Sequence, residues 1–345
     1  MPGAPPGVAP PWPGFSVHKP GVLPLRPLGL GDIYDAAFKT IRRNPRAMVG
    51  LAALVMAACA ALPAALSVAL AFAGQLRLAP SGLNGLGSTQ AMAGVAEVYG
   101  ATTLARLLSV LGQIVLTGMI ARVVFGAVVG RATSISEAWR PVRGRFWRLV
   151  GLALLGAIVA VAPFMLAIVA AVAVGFAVDS AGVGVAIGLL GGAGGFVWLV
   201  FAEVRLVSLS TAALVIEQLG VLAAMRRTWV LTRRQFWRVL GIWLLTGILV
   251  AVAGEILSIP FGVAGGVLTA FGASSSWGGL GVVASNLLSS IVVGAVITPF
   301  TAGVMALLYV DQRIRKEGYD VELIAAAQPT AMPPAASMPP APAAG

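Results

Sequence analysis

The chain has 345 residues, 59% of them hydrophobic and 10% charged, with a formal net charge of +11 and a mean hydropathy of +0.94. Soluble domains average about 45–50% apolar and about 25% charged residues, so this balance excludes a water-soluble globular fold and points to a multi-span helical membrane protein. The excess of positive charge belongs with the sidedness of membrane insertion, and a nucleic-acid partner is not expected.

Residues 1–27, "MPGAPPGVAPPWPGFSVHKPGVLPLRP", are rich in Pro and Gly and hold the only histidine, His18. They lack the order of basic, apolar and cleavage regions that makes a signal peptide, and are expected to form a disordered tail that stays attached. "LGLGD" at 28–32 is Gly-rich but lacks the spacing and the Lys-Ser/Thr ending of a phosphate loop. It reads as the start of a helix capped by Asp32.

Six apolar segments follow, near or above the ~20 residues that cross a bilayer core as a helix. They run from about Ala47 to Ala73, Leu107 to Val129, Leu149 to Val178, Ala181 to Ala202, Val239 to Phe271 and Leu280 to Val310. Only Asp179-Ser180 separates the third from the fourth, so those two helices should be antiparallel neighbours. Residues 325–345, "AAAQPTAMPPAASMPPAPAAG", form a second low-complexity tail that reads as a flexible linker. The expected organisation is a 1–27 tail, a six-span domain over 28–324 and a 325–345 tail.

Lysine and arginine set the orientation. One side holds the N-terminal tail, the 2–3 and 4–5 connections and the C-terminal tail, and collects 21 of the 23 basic residues when Arg122 and Arg205 are counted as snorkelling toward it. The other side keeps Arg77 and Arg106. Both termini are therefore expected in the cytoplasm of a cell-membrane protein.

An internal repeat runs through the basic side. Residues 139–151 read "WRPVRGRFWRLVG" and residues 229–241 read "WVLTRRQFWRVLG". Six of thirteen positions are identical: Trp139/Trp229, Arg143/Arg233, Phe146/Phe236, Trp147/Trp237, Arg148/Arg238 and Gly151/Gly241. A fainter copy, "FKTIRRNPRAMVG" at 38–50, matches Trp139, Arg143 and Gly151 with Phe38, Arg42 and Gly50. Each copy precedes an odd-numbered span. The fold class is all-α integral membrane: six transmembrane helices as three helical-hairpin repeats, about 28–130, 131–216 and 217–324, each preceded by a cytoplasmic interfacial helix. Trp139, Arg143, Trp147, Arg148, Trp229, Arg233, Trp237, Arg238, Phe38 and Arg42 are the candidates for contact with anionic lipid or a membrane partner. The same residues also fit plain positive-inside anchoring.

Catalytic and metal chemistry is poorly supplied. Cys59 is the only cysteine and lies inside an apolar run, which removes disulfides and Cys-based metal centres. One tail histidine leaves no His-based acid–base or metal site, so no cofactor is expected. Ionisable residues inside spans are the functional candidates. Glu255 stands out, 16 residues beyond Val239 and expected toward the outer side, where it either binds a cation or reaches the interface. Arg122, Glu203 and Arg205 fall near the inner ends of spans two and four, and an Arg122–Glu203 ion pair is a further expectation. Pro63, Pro163, Pro260 and Pro299 interrupt spans. Gly184, Gly188 and Gly192 have the spacing of close helix packing.

"LGLGDIYDAAFKTIRRNPR", "LAAMRRTWVLTRRQFWRVLG" and the closing "LLYVDQRIRKEGYDVEL" (307–323) resemble a family of six-span actinobacterial membrane proteins labelled glycerophosphoryl diester phosphodiesterase membrane-domain-like. The resemblance covers about residues 28–323 and is most specific in the closing motif. The label comes from chains that fuse such a module to a soluble phosphodiesterase, and it implies no activity for the module itself. Within the closing motif, Asp311/Arg315 and Arg313/Glu317 are four apart and should pair on one helix. The expected function is a non-enzymatic accessory or assembly component engaging anionic lipid or a membrane partner. The alternative is a small transporter or channel using Glu255 and the proline-interrupted helices.

Overall fold

A computed structural model describes residues 28–72, 111–131, 133–178, 181–272 and 276–319. Both tails, the 1–2 connection and the Asp179-Ser180 turn lie outside the described residues. Every element among them is helical. In chain order they are α1 (Leu30–Arg43), α2 (Leu51–Phe72), α3 (Leu111–Val128), α4 (Ile135–Arg143), α5 (Phe146–Ala177), α6 (Ala181–Ala202), α7 (Ser210–Ile216), α8 (Val221–Thr232), α9 (Phe236–Gly272) and α10 (Ser276–Glu317). Widened π-helical turns, Arg46–Gly50 and Glu203–Val207, lead into α2 and out of α6. Six helices are long and apolar enough to cross a membrane: α2, α3, α5, α6 with its extension, α9 and α10.

The helix starts follow from local chemistry. The Asp32 carboxylate accepts the Gly29 backbone N–H at 3.0 Å, so Asp32 does cap α1, from the third helical position. Ser134 and Glu137 close a full capping box at α4, with Ser134 N–H donating to Glu137 Oε2 at 3.0 Å. α1 and α4 are both strongly amphipathic, each with an acid in the first turn and arginines in the last, as the helix dipole favours. The helix α7 was not foreseen. It lies in the 4–5 connection, and its Ser210, Ala212, Ala213, Leu214 and Val215 are buried.

Burial divides the molecule into two ends. At one, α1, α4, α7 and α8 enclose the beginnings of α5 and α9, the end of α3 and the last turns of α10. We call this the hub. Leu28, Met48, Leu116, Ile120, Leu149, Leu214, Leu231 and Tyr309 are sealed within it. At the other end, α5, α6 and α9 expose Ile158, Leu166, Leu189, Phe196, Ile256, Val263 and Phe271, a surface suited to lipid. The helices α3 and α10 are the central pair, about half buried along their apolar stretches, against 11–17% for α5, α6 and α9.

Two antiparallel hairpins extend from the hub. In the α5–α6 hairpin, a Cβ built on Gly184 would approach Gly175 Cα at 2.9 Å, and one on Gly195 would approach Phe164 at 2.6 Å. Gly188 and Gly191 face Ala171 and Ala167, whereas Gly192 faces open space. The packing face is therefore Gly184, Gly188, Gly191 and Gly195, not the expected face through Gly192. The α9–α10 hairpin packs Gly254 against Ile297 and Gly281 against Leu268. Close approach at glycine suits helices in lipid, where dispersion and not water exclusion drives association.

Candidate functional site

Glu255 lies 19 residues after the start of the 37-residue α9 and 17 before its end. The sequence placed it toward the outer side. The helix runs from Phe236 to Gly272, within three residues of the expected segment at either end, and Glu255 falls near its middle. It borders a cleft of about 540 Å3 between α2, α3, α9 and α10. Around it stand Gln113, Ser258, Asn286, Ser289, Ser290 and Thr298, with Cys59 on the α2 wall. Ser258 donates to the Glu255 backbone carbonyl at 2.8 Å and Ser290 to Leu287 O at 2.8 Å, so these hydroxyls satisfy their own helix. The Glu255 carboxylate is exposed and has no hydrogen-bond partner among the described residues.

Below the cleft, α1 bridges the two walls. Tyr34 OH and Thr246 Oγ1 of α9 are hydrogen-bonded at 3.1 Å. The Tyr34 ring stacks on Phe300 of α10 at 5.9 Å between centroids, and Phe38 meets the same ring at 5.0 Å. Thr298, two residues from Phe300, lines the cleft, so these aromatics pack just beyond its hub end. Phe38, put forward as an interfacial residue, joins this aromatic cluster while remaining exposed. Among the described residues no cluster of His, Cys, Asp or Glu could hold a metal ion.

The closing motif does more than stabilise its own helix. Arg315 Nε donates to Asp311 Oδ1 at 3.0 Å and Arg313 Nε to Glu317 at 3.0 Å, the two expected pairs. Asp311, fully buried, also binds Arg238 of α9 and accepts the Leu28 backbone N–H at 2.9 Å. Arg238 and Arg315 donate to the Leu28 carbonyl at 2.8 and 2.7 Å. A second network joins Glu217, Arg227, Tyr309, Arg313 and Glu317. Burial alone would pull the Arg227 guanidinium down; hydrogen bonds and charge from Glu217 and Glu317 hold it above its ordinary value.

The three copies of the repeated motif each break between helices. The breaks fall at Asn44, at Gly144-Arg145 and at Arg233-Gln235. Equivalent positions in the two strong copies have similar exposure. Trp147 and Trp237 are 80% and 79% exposed, Trp139 and Trp229 are 41% and 38%. Leu149 and Val239 are both fully buried. Phe146–Trp147 and Phe236–Trp237 pack edge-on at 5.4 and 5.5 Å. Arg143, Arg233 and Arg42 are exposed. The copies differ where tertiary partners reach only one of them: Arg238 is drawn into the Asp311 network while Arg148 stays exposed, and Trp229 and Phe236 pack against Phe201 and Arg205.

The remaining candidates separate. No ion pair joins Arg122 and Glu203 among the described residues. Instead Arg122 lies 5.8 Å from the Phe125 ring and lines a different cleft. Arg205 sits 4.6 Å over the Trp229 ring and 5.6 Å from Phe201 and Phe236. Glu203 opens the widened turn Glu203–Val207, which shifts the helical phase of the residues that follow it, Arg205 among them. Sequence reasoning missed Asn286, Gln113 and Tyr34. The one available signal was the polar run Ser285-Asn286 and Ser289-Ser290 in an otherwise apolar span.

The fold and the cleft define an all-helical protein with six candidate membrane spans and a lone carboxylate midway along one of them. By sequence the chain belongs to an uncharacterised family, the domain of unknown function DUF7847, whose model matches residues 30–312. No curated protein and no solved structure matches it.

Proposed function

We propose that this is a non-enzymatic membrane protein that binds a small cationic solute, the proton included, at Glu255 and passes it across the cell membrane. The observation that carries this reading is the unpartnered Glu255 carboxylate in a polar-lined cleft midway along α9. A carboxylate at such depth is costly to keep. It is expected where it faces a partner or a hydrated cavity. The Tyr34–Thr246–Phe300 contacts pack between the cleft and the hub and serve as its floor, the closed side that alternating access requires.

Orientation follows from charge. The hub carries nearly all the basic residues and faces the cytoplasm, and both tails lie there. The three motif copies are repeat units. Their first helices lie in the inner headgroup layer, with Trp139 and Trp229 at the interface. The alternative reading, an accessory component acting through anionic lipid or a membrane partner, draws on the exposed Trp147, Trp237, Arg143 and Arg233. It leaves Glu255 without a role.

The test is reconstitution of the full chain into vesicles with a pH or cation gradient. Wild type should dissipate the gradient, and Glu255→Gln should not, with both variants eluting and melting alike in detergent. Equal flux through the two proteins rejects the proposal.

A further inference from the structure

A second cleft, of about 630 Å3, opens where α3 ends and α4 begins. Its geometry is set locally. Gly130 takes a left-handed φ of 86°, and Arg131 N–H returns to Gly126 O at 2.8 Å. That turn folds Arg131 and Thr133 back beneath the last turns of α3. Gly126 has to be glycine here, because any Cβ would collide with the Thr133 hydroxyl. The cleft is thereby lined by Arg122 and Phe125 from α3, Arg131 and Thr133 from the turn, and Glu137 and Arg140 from α4. Three guanidinium groups face one carboxylate. Glu137 is already committed to capping α4 through the Ser134 N–H. Among the described residues no acid pairs with Arg122, Arg131 or Arg140. Thr133 also borders a neighbouring concavity of about 450 Å3 that contains Arg43 and Arg46.

Three arginines lining one cleft against a single carboxylate leave an excess of positive charge that suits an anion with several acceptor oxygens. The cleft is also amphipathic. Arg122 lies within the apolar stretch Leu111–Val128, and Phe125, Val129 and Pro141 supply apolar wall. A ligand filling it would place its charge at the basic rim and its apolar body along α3. We infer that this cleft binds the phosphate of an anionic phospholipid, the headgroup seated among Arg122, Arg131 and Arg140. The site is separate from the Glu255 cleft and shares no residue with it.

The experiment titrates purified full-length protein in neutral detergent with phosphatidylglycerol, with phosphatidylcholine and with inorganic phosphate, reading bound lipid by native mass spectrometry and the melting midpoint. Phosphatidylglycerol should bind and raise the midpoint. Arg122→Gln/Arg140→Gln should weaken binding at least about tenfold, since each guanidinium supplies charge-assisted hydrogen bonds. Arg226→Gln, which removes an exposed charge outside the cleft, should bind as wild type. Should the double variant fail to fold, Arg131→Gln on the exposed turn carries the same expectation, with a smaller loss. Equal weakening by Arg226→Gln means diffuse attraction and overturns the site, as does equally tight binding of phosphatidylcholine. Saturation by inorganic phosphate, with no preference for lipid, assigns the cleft to a free anion and overturns the lipid. Glu255→Gln should leave lipid binding intact, so failure here and failure of the transport reading are told apart.

Discussion

The backbone N–H of Leu28 donates to the buried carboxylate of Asp311 at 2.9 Å, across 283 residues of sequence. Arg238 and Arg315 complete the contact from either side. The clasp therefore ties the residue two before α1 to the last turns of α10, with five candidate spans and most of the sixth between.

Removing the clasp's charge should cost heavily. In Asp311→Asn two partly buried guanidinium groups lose their counter-ion, and breaking a buried pair from one side costs about 3–5 kcal/mol. Asp35→Asn breaks the Lys39–Asp35 pair, whose side chains are 48% and 58% exposed, and should change stability by no more than about 1 kcal/mol. Thermal or denaturant unfolding in detergent measures both. Similar effects at the two positions would contradict the clasp.

The cleft contains its own reporter, because the only cysteine, Cys59, lines its wall. In vesicles, a small membrane-impermeant thiol reagent should label Cys59 from the far side and not from the hub side. Tyr34→Ala removes both the Thr246 hydrogen bond and the Phe300 stack, and should raise hub-side labelling severalfold. Wild-type labelling that is fast from the hub side would show that the aromatic floor does not close the cleft.

Two glycines on α6 should respond with opposite signs. Gly195→Val drives methyl groups into Phe164 and should destabilise by about 1–3 kcal/mol. Gly192→Ala meets open space and should be neutral or stabilising by up to about 1 kcal/mol, the helix-propensity gain of alanine over glycine. Melting of the purified variants decides. A loss at Gly192 as large as at Gly195 would mean that α6 packs through a different face.

Reporter fusions check the sidedness. Fusions after residue 27 and after residue 324 should both report cytoplasm, and fusions near Asn84 and Ser275 the outside. A C-terminal fusion on the outside would remove the even number of crossings and the repeat with it.

Features carried by short-range spacing were legible in the sequence. The six apolar segments, the helix breaks beside Trp139 and Trp229, and the Asp311–Arg315 and Arg313–Glu317 pairs all follow from 3.6-residue periodicity or local composition. Partners brought together by tertiary packing were not. Nothing local to Arg238 says that its acid lies 73 residues away. Glu255 was legible as an acid within a span, but its surroundings depend on which face of α10 meets α9, and helices that are apolar all round do not encode that. The Arg122–Glu203 pairing failed for a related reason: it required α3 and α6 to present those two residues to each other, and Arg122 instead lines the cleft beside α4.

The helix α10 is a single rod of 42 residues, about 63 Å at ~1.5 Å per residue, with Pro299 inside it. Proline has no N–H to give the carbonyl one turn back, so the rod has a weak point there. On one side of that point is Thr298 at the cleft, and on the other are Phe300 and, three turns further, Asp311. The consequence is mechanical. A bend at Pro299 would make α10 a lever, with the cleft on one arm and the Leu28 anchorage on the other. Occupancy of the cleft, where it bends α10, would then reach Leu28 as a displacement, without any intervening relay of side chains.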